Sequence, residues 1–391
     1  MVQFTPAERV RALPQNFWAA MDADIHRLAG TDGPRIIDLS KGNPDLPTPE
    51  RIVRTMQREV ADPVNHRYPS SAARTAVRAA IARRYRDDHG VTVDPDGEVA
   101  IFHGSHEAII ASVLAIADPG AAVLLPDPGY PIYRSAAGFA GARIETVPLV
   151  APTYQPDAGV LDGIDTAAAL ILNYPNNPTG ALATRQTFES AISFAGRTGA
   201  AFIHDFAYSS LGFDGRRPLS ALAVDPSLEV TVELQTLSKT YSMAGWRFGF
   251  AAGNASLIAA MRRYQSHAFS TMFGAMQETA ADALGGDQSA AVELVEVYER
   301  RRDLVVAGLE RLGWEVVRPE GTFFVWAKAP GGDAVAFAEQ LRERARVAVA
   351  PGDGFGALGR GYVRLALVED EATLAETIER LAAFGTGESH G

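Results

Sequence analysis

Between residues 99 and 251, short apolar runs alternate with stretches of helical period. Residues 99–103, 122–125, 143–149, 168–172, 201–204, 229–236 and 248–251 read as strands, and 107–117 and 188–195 as helices. Strands that alternate with helices predict an α/β fold with a mostly parallel sheet, covered by helices. The pattern changes near Gly285. Residues 292–312 form one long helix with a charged and an apolar face. Segments 316–317 and 323–327 flank a turn at Gly321, 335–344 is helical, 347–350 and 362–367 are extended, and 372–384 is helical. This is a smaller α+β unit. The first forty or so residues, punctuated by proline and glycine, need a surface to pack on and are expected to join it. The expected division is a large domain over 46–284 and a small one made of 1–45 plus 285–391.

Composition narrows the function. The chain has 391 residues, 47% hydrophobic and 21% charged, an ordinary globular balance with ample material for a core. A net charge of −11 and the absence of any lysine/arginine block argue against binding to nucleic acid or to an anionic membrane. With no cysteine, disulfides, thiolate catalysis and cysteine-based metal sites are excluded. The histidines are scattered and no HExxH spacing occurs, so no metal is expected. Residues 1–30 carry charges throughout and have no apolar signal core, and the apolar run 108–117 is too short to span a bilayer. A soluble, cytoplasmic protein is expected.

Four segments carry candidate chemistry. In Thr236–Leu237–Ser238–Lys239–Thr240–Tyr241, one lysine sits among hydroxyl side chains, with Arg247 eight residues on. A phosphorylated aldehyde would use all of these: the amine to form an imine, the hydroxyls and the guanidinium to hold phosphate. Asp205 ends the apolar run 201–204, where open α/β sheets bind ligands, and Tyr208 follows three residues later. A carboxylate there would keep a pyridine nitrogen protonated, and Tyr208 would donate to the phenolic oxygen of the same ring. The run Asn173 to Gly180, with two X-Pro steps, would present the Asn177 amide rigidly to that oxygen. Gly104–Ser105–His106 opens a helix and exposes backbone N–H groups to an anion, while Tyr130 in the 126–133 turn is placed to lie on a flat ring. Each has a plainer alternative: a solvated lysine at a strand end, helix N-caps at Asp205 and Ser105, a simple asparagine-proline turn, and core packing for Tyr130.

In order and spacing, NYPNNPTG at 173–180, DFAY at 205–208, TLSKTYSMAGWR at 236–247, PDPGYPIY at 126–133 and VRLAL at 363–367 resemble the fold-type I pyridoxal-phosphate enzymes, specifically the class I/II aminotransferases. HRYPSS at 66–71 and GSHEAI at 104–109 look like the branch of LL-diaminopimelate and alanine-type aminotransferases. The resemblance spans nearly the whole chain and implies an aspartate-aminotransferase-like fold with a seven-stranded type of sheet. It implies pyridoxal 5'-phosphate as cofactor and ping-pong transfer between an L-amino acid and a 2-oxo acid. Lys239 would be the Schiff-base lysine and the base at Cα, Asp205 the partner of the ring nitrogen, Tyr208 and Asn177 the holders of the ring oxygen, and Tyr130 the stacked ring. Gly104, Ser105, His106, Thr236, Ser238 and Arg247 would surround the phosphate. Tyr68 would reach the phosphate of a neighbouring subunit, which implies a homodimer. Arg364, assisted by backbone near Gly42, would bind the substrate carboxylate.

The chain departs from that pattern at His106, where the branch usually has lysine, at Ala73, where many relatives have glycine, and at Gly42–Asn43–Pro44, where GDP is frequent. These departures leave the substrate open. Phe17, Trp18, residues 269–271, Phe323, Phe324 and Phe355 are candidate pocket walls, and Arg67, Arg262 and Arg263 candidate partners for an acidic side chain. The alternative is another Cα chemistry on the same scaffold, such as β-elimination, cyclisation, decarboxylation or oxidation. Lys239→Ala is expected to lose both the imine absorbance and all turnover; full activity in that variant refutes the assignment.

Overall fold

In the computed structural model, residues 4–11, 13, 17–70 and 73–386 are described; the side chains of Phe17, Ala20, Ala29, Ala158 and Thr386 lie outside that description, as does Ser71 of the HRYPSS run. Fourteen strands occur among the described residues: β1 (Ile37–Asp38), β2 (Val99–Phe102), β3 (Ala122–Asp127), β4 (Arg143–Val150), β5 (Gln155–Pro156), β6 (Ala169–Asn173), β7 (Ala201–Asp205), β8 (Thr231–Thr236), β9 (Gly249–Gly253), β10 (Val316–Val317), β11 (Phe324–Lys328), β12 (Val347–Ala348), β13 (Ala350–Pro351) and β14 (Tyr362–Ala366).

The principal sheet has the order β2-β9-β8-β7-β6-β3-β4-β5. Strands β3, β6, β7 and β8 are parallel, and β9 runs antiparallel between β8 and β2. Strands β6, β7 and β8 are buried along their whole length, which is why they read as apolar runs rather than alternating ones. The shared direction brings Asp127, Asn173, Asp205 and Thr236, the last residues of four parallel strands, to one edge. Because β9 is reversed, its first residue arrives at that edge too: Gly249 is in register with both Phe102 and Thr236. Arg247 and the Gly104 turn therefore meet there.

Helices close the sheet. Arg185–Thr198 begins with a capping box in which the Thr184 and Thr187 side chains satisfy each other's backbone N–H groups, and it ends at Gly199 in the left-handed region. Helices Thr75–His89, Ile132–Ala140, Ala255–Ala268 and Gly274–Gly285 are not evident from the sequence pattern, since their alanine-rich faces blur the apolar period. The long helix runs Ser289–Arg311. The segment expected as one helix over 335–344 is α-helical only over Ala334–Gln340 and widens to a π turn over Leu341–Ala345.

A second sheet, β10-β11-β14-β13, is antiparallel throughout. It places Arg364 in the middle of β14, in register with Trp326 and Ala350. The chain start is tied to this region. Strand β1 pairs with β12, the Leu39 carbonyl accepts from Ala366 N at 2.8 Å, and Arg346 donates to the carbonyls of Leu28 (2.9 Å) and Asp32. Trp326 is fully buried, stacked on Tyr362 with centroids 5.1 Å apart and edge-on to Phe355. Trp326→Ala is expected to lower the unfolding free energy by about 3–5 kcal/mol in denaturant titration, the usual cost of an emptied aromatic site.

Candidate active site

One cavity of ≈ 280 Å³ lies at the common strand edge, lined by Trp18, Lys41, Gly42, Asn43, Ser105, Tyr130, Asn173, Asn177, Asp205, Ala207, Tyr208, Lys239, Phe324 and Arg364. It draws together residues that lie as much as 346 positions apart, from Trp18 to Arg364.

Lys239 stands in the short helix Leu237–Thr240 that follows β8. Its Nζ donates to the Gly42 carbonyl at 2.7 Å and lies 5.3 Å from the Phe323 ring. Burial, reinforced by the charges of Arg364 and Arg247, lowers the amine to about 7. Gly42 has no alternative residue at this spot, because a Cβ there would stand 2.4 Å from Phe324 Cζ.

Asp205 is buried, and burial pushes its carboxyl above the usual range; Tyr133, His204, Ala207 N–H and Lys239 pull it back. Tyr133 Oη donates to Oδ2 at 2.7 Å and Ala207 N to Oδ1 at 3.2 Å. Tyr133 is a site residue that sequence reasoning missed, although it stands three positions after Tyr130 on the same turn. Asn173 was also missed: its Nδ2 donates to the Asp205 carbonyl and its Oδ1 accepts from Asn177 N, both at 2.8 Å. This asparagine fastens the Asn177 loop to the end of β7.

Arg364 is buried in an aromatic box of Phe324, Phe355 and Trp18, whose ring centroids lie 3.9, 4.7 and 5.2 Å from its Cζ. Nη1 donates to Asn177 Oδ1 and Nη2 to the Ser40 carbonyl, each at 2.7 Å, while Nε is buried without a hydrogen-bond partner. Burial lowers this guanidinium to about 10. Burial pushes the ionisation of the Tyr208 hydroxyl well up, and the neighbouring Asn177 side chain pulls it back in part. The Tyr130 hydroxyl is likewise raised by burial, and its ring stands edge-on to Tyr133 at 5.9 Å.

Of the expected anion-binding group, Ser105 is in the cavity wall and begins the helix Ser105–Leu114. Gly104 (φ 90°) allows a side-chain guanidinium to pack on it: a Cβ there would stand 2.7 Å from Arg247 Nη2. Arg247 is itself in the left-handed region and donates to the Ala244 carbonyl at 2.9 Å. The His106 imidazole is lowered by partial desolvation and by the charge of Arg247 beside it. The Thr236 hydroxyl is engaged inside the loop: it lies 2.8 Å from Ser238 Oγ and 2.9 Å from the Phe248 carbonyl, and accepts from Ser238 N. Thr236 lines a separate hollow behind the Lys239 helix.

Other expectations need correction. Phe355 packs on Arg364 rather than lining the cavity, and Phe269 is half-exposed outside it. Arg262 is spent on the carbonyls of Asp96 and Val99, and Arg263 lines a shallow hollow with Tyr264 and His267. The side chain of Phe17 lies outside the described residues. Tyr68, expected to act on a neighbouring subunit, is 94% exposed and is not part of its own chain's cavity wall.

These features fit pyridoxal phosphate. The donor set offers a depressed amine, a buried carboxylate in need of a cationic partner, and a glycine cradle with a guanidinium for phosphate. The linkage at Lys239 has a defined sign. The folded state resists charging the amine, so in the cofactor-free protein this penalty is full below about pH 7, fades as pH rises and vanishes above the unfolded value of about 10.4. Lys239→Met is therefore expected to stabilise the cofactor-free protein near neutrality and to change little near pH 11, as read from denaturation midpoints.

Comparison with known proteins agrees with the geometry. The profile of aminotransferase class I and II matches residues 34–381. The chain is 42% identical to L-glutamine–4-(methylsulfanyl)-2-oxobutanoate aminotransferase of Bacillus subtilis, over 97% of this chain and 96% of that one. It is also 42% identical to an LL-diaminopimelate aminotransferase of Desulforudis audaxviator, over 97% and 98%. Substrate-bound BacF from Bacillus subtilis superposes with a TM-score of 0.92 at 36% identity, covering 98% of each chain. Thermus thermophilus aspartate aminotransferase (a single mutant) gives 0.89 at 31%, covering 97% of this chain and 99% of that one. All are named as aminotransferases or, for BacF, as a transaminase in its curated relative, which favours amino-group transfer over elimination or decarboxylation. The chain belongs to the class I and II aminotransferases and is a pyridoxal-phosphate-dependent transaminase of the aspartate-aminotransferase-like fold.

Proposed function

We propose that this transaminase acts on an amino acid and a 2-oxo acid with uncharged side chains, of the glutamine or methionine kind, and that its residues divide the work as follows. Bound pyridoxal phosphate supplies an aldehyde for covalent attachment and a ring that draws electron density from the substrate Cα. Lys239 Nζ takes up the proton released at Cα and donates it again later in the cycle; an amine near 7 has enough free base at neutral pH for this and enough acid for its return. Asp205, oriented by Tyr133, holds the ring nitrogen in its charged form. Asn177 and Tyr208 would hold the ring oxygen, and Tyr130 would pack on the ring. Gly104, Ser105, His106, Ser238 and Arg247 hold the phosphate, with Thr236 acting through Ser238.

Arg364 takes the α-carboxylate. Its unpartnered Nε, the aromatic box that keeps water off it and the fixed Asn177 bond pre-orient the fork. The side-chain preference rests on one observation. Among the described residues, the cavity wall holds one cation besides Lys239 and Arg364, Lys41, and its ammonium is already paired with Asp22. A distal carboxylate would find no free partner there, whereas an amide or thioether would meet Trp18, Asn43 and Phe324. The glutamine and methylsulfanyl-oxobutanoate named for the Bacillus subtilis relative match that wall.

A homodimer and a cytoplasmic location belong to the same reading. Exposed Val60, Val64, Tyr68 and Phe273 support the dimer, since a second copy would cover them and bring Tyr68 to its phosphate. The division into a domain of residues 46–284 and a domain of 1–45 plus 285–391 is supported by the two separate sheets. A donor screen read by conversion of the bound cofactor to its amino form tests the preference. Glutamine and methionine are expected to convert it, with glutamate and aspartate at least tenfold slower in kcat/KM, a discrimination of about 1.4 kcal/mol; faster conversion by an acidic donor overturns it. Arg364→Lys is expected to raise KM for every donor, because the ammonium offers no bidentate fork.

A further inference from the structure

Beneath the cavity, groups from β7, β8 and the loop after β6 meet around one imidazole. His204 immediately precedes Asp205 on β7, so its side chain points to the opposite face of the sheet. It is fully buried, as is Glu233, which stands directly opposite on β8. Nδ1 of His204 lies 2.7 Å from Glu233 Oε1, and Nε2 lies 2.9 Å from the Tyr174 carbonyl. A carbonyl only accepts, so Nε2 carries a proton. Glu233 Oε1 accepts in addition from Ala221 N at 2.5 Å, and Ser220 Oγ donates to Oε2 at 2.9 Å. Surrounded by donors, that side chain is a carboxylate, so Nδ1 carries a proton as well. Burial pushes the Glu233 carboxyl up, yet the hydrogen bond and charge of His204, the charge of His89 and the Ser220 hydrogen bond together outweigh it and leave it below the usual range. The ring is clasped by Phe188 and Phe206 at 4.7 and 4.8 Å, and His89 packs on Phe206 at 5.5 Å.

Each of the three anchor points leads straight into the site. Tyr174 opens the loop to Asn177, His204 is followed by Asp205, and Glu233 lies three residues before Thr236, which caps the helix carrying Lys239. An apolar pair of similar volume would fill the space without the cost of burying two ions. It would lack directional bonds to neighbouring strands on both sides. We propose that His204 and Glu233 form a positioning pair, a doubly protonated ring and its carboxylate, that fixes Asn177, Asp205 and Lys239 relative to one another. This inference rests on the roles given above to those three residues.

The test uses wild type, His204→Gln and Glu233→Gln. In cofactor-free wild type labelled with ¹⁵N-histidine, the ring signals that disappear in His204→Gln are expected to report two protonated nitrogens; a single protonated nitrogen overturns the pair. In the holoenzymes, each variant is expected to lower kcat by about 10- to 100-fold, with donor KM within about threefold, and to shift the visible band of the bound cofactor. Variants with wild-type kcat and an unmoved band overturn the positioning role, even where thermal stability falls. Should His204→Gln not fold, Glu233→Gln, which keeps the shape and the hydrogen bonds to Ala221 and His204, decides the matter. Turnover retained in Lys239→Ala would sink the catalytic reading independently, since the nitrogen count is read without cofactor.

Discussion

Strand direction is the constraint on which this molecule depends. Hydrogen bonding in register between β3, β6, β7 and β8 obliges their carboxyl ends to finish at one edge, and the reversal of β9 returns the chain to that same edge. Asparagine, aspartate, lysine and arginine separated by some seventy positions, from Asn177 to Arg247, are thereby gathered with no contact between their own segments being needed first. The reversal of β9 matters as much as the parallel strands. Without it, Arg247 would emerge on the far side of the sheet, away from the Gly104 turn on which it packs.

The second sheet completes the cavity from the other side, and it does so by burying a cation. Placing a guanidinium among three aromatic rings costs solvation, which the Asn177 and Ser40 oxygens and the ring faces offset in part. The remainder appears as a buried polar atom without a hydrogen-bond partner, the Arg364 Nε. Lys239 follows the same logic. Its burial lowers the amine toward neutrality, and the Gly42 carbonyl, carried by the N-terminal segment, accepts a hydrogen bond from it. Both groups have lost water on burial, and among the described residues neither is held in a salt bridge, although the charge of Asp205 partly offsets the effect at Lys239.

The first forty residues illustrate how function depends on a distant pairing. Strand β1 is only two residues long, yet its pairing with β12 and the bond from Ala366 N to the Leu39 carbonyl fix Ser40, Lys41 and Gly42 against the site. Phe323 and Phe324 then press on Gly42 closely enough to exclude any side chain. The same packing sets Trp18 over Arg364.

The sequence singles out Lys239, Asp205, Asn177, Tyr130 and Arg247 because each stands in a short local pattern, an apolar run ending in a polar residue or a turn of proline and glycine, and the first four line one cavity. Strand identity was legible for the same reason: a strand buried on both faces has a composition that does not depend on its neighbours. Partners were not legible. That Tyr133 bonds Asp205, that Asn173 ties the Asn177 loop to β7, that the Thr236 hydroxyl is turned inward and that Arg262 serves backbone carbonyls are facts of distance between segments. Local sequence encodes backbone preference and the chemistry a side chain can offer. Which groups lose their water, and which atom each then faces, is decided only when the two sheets close on one another.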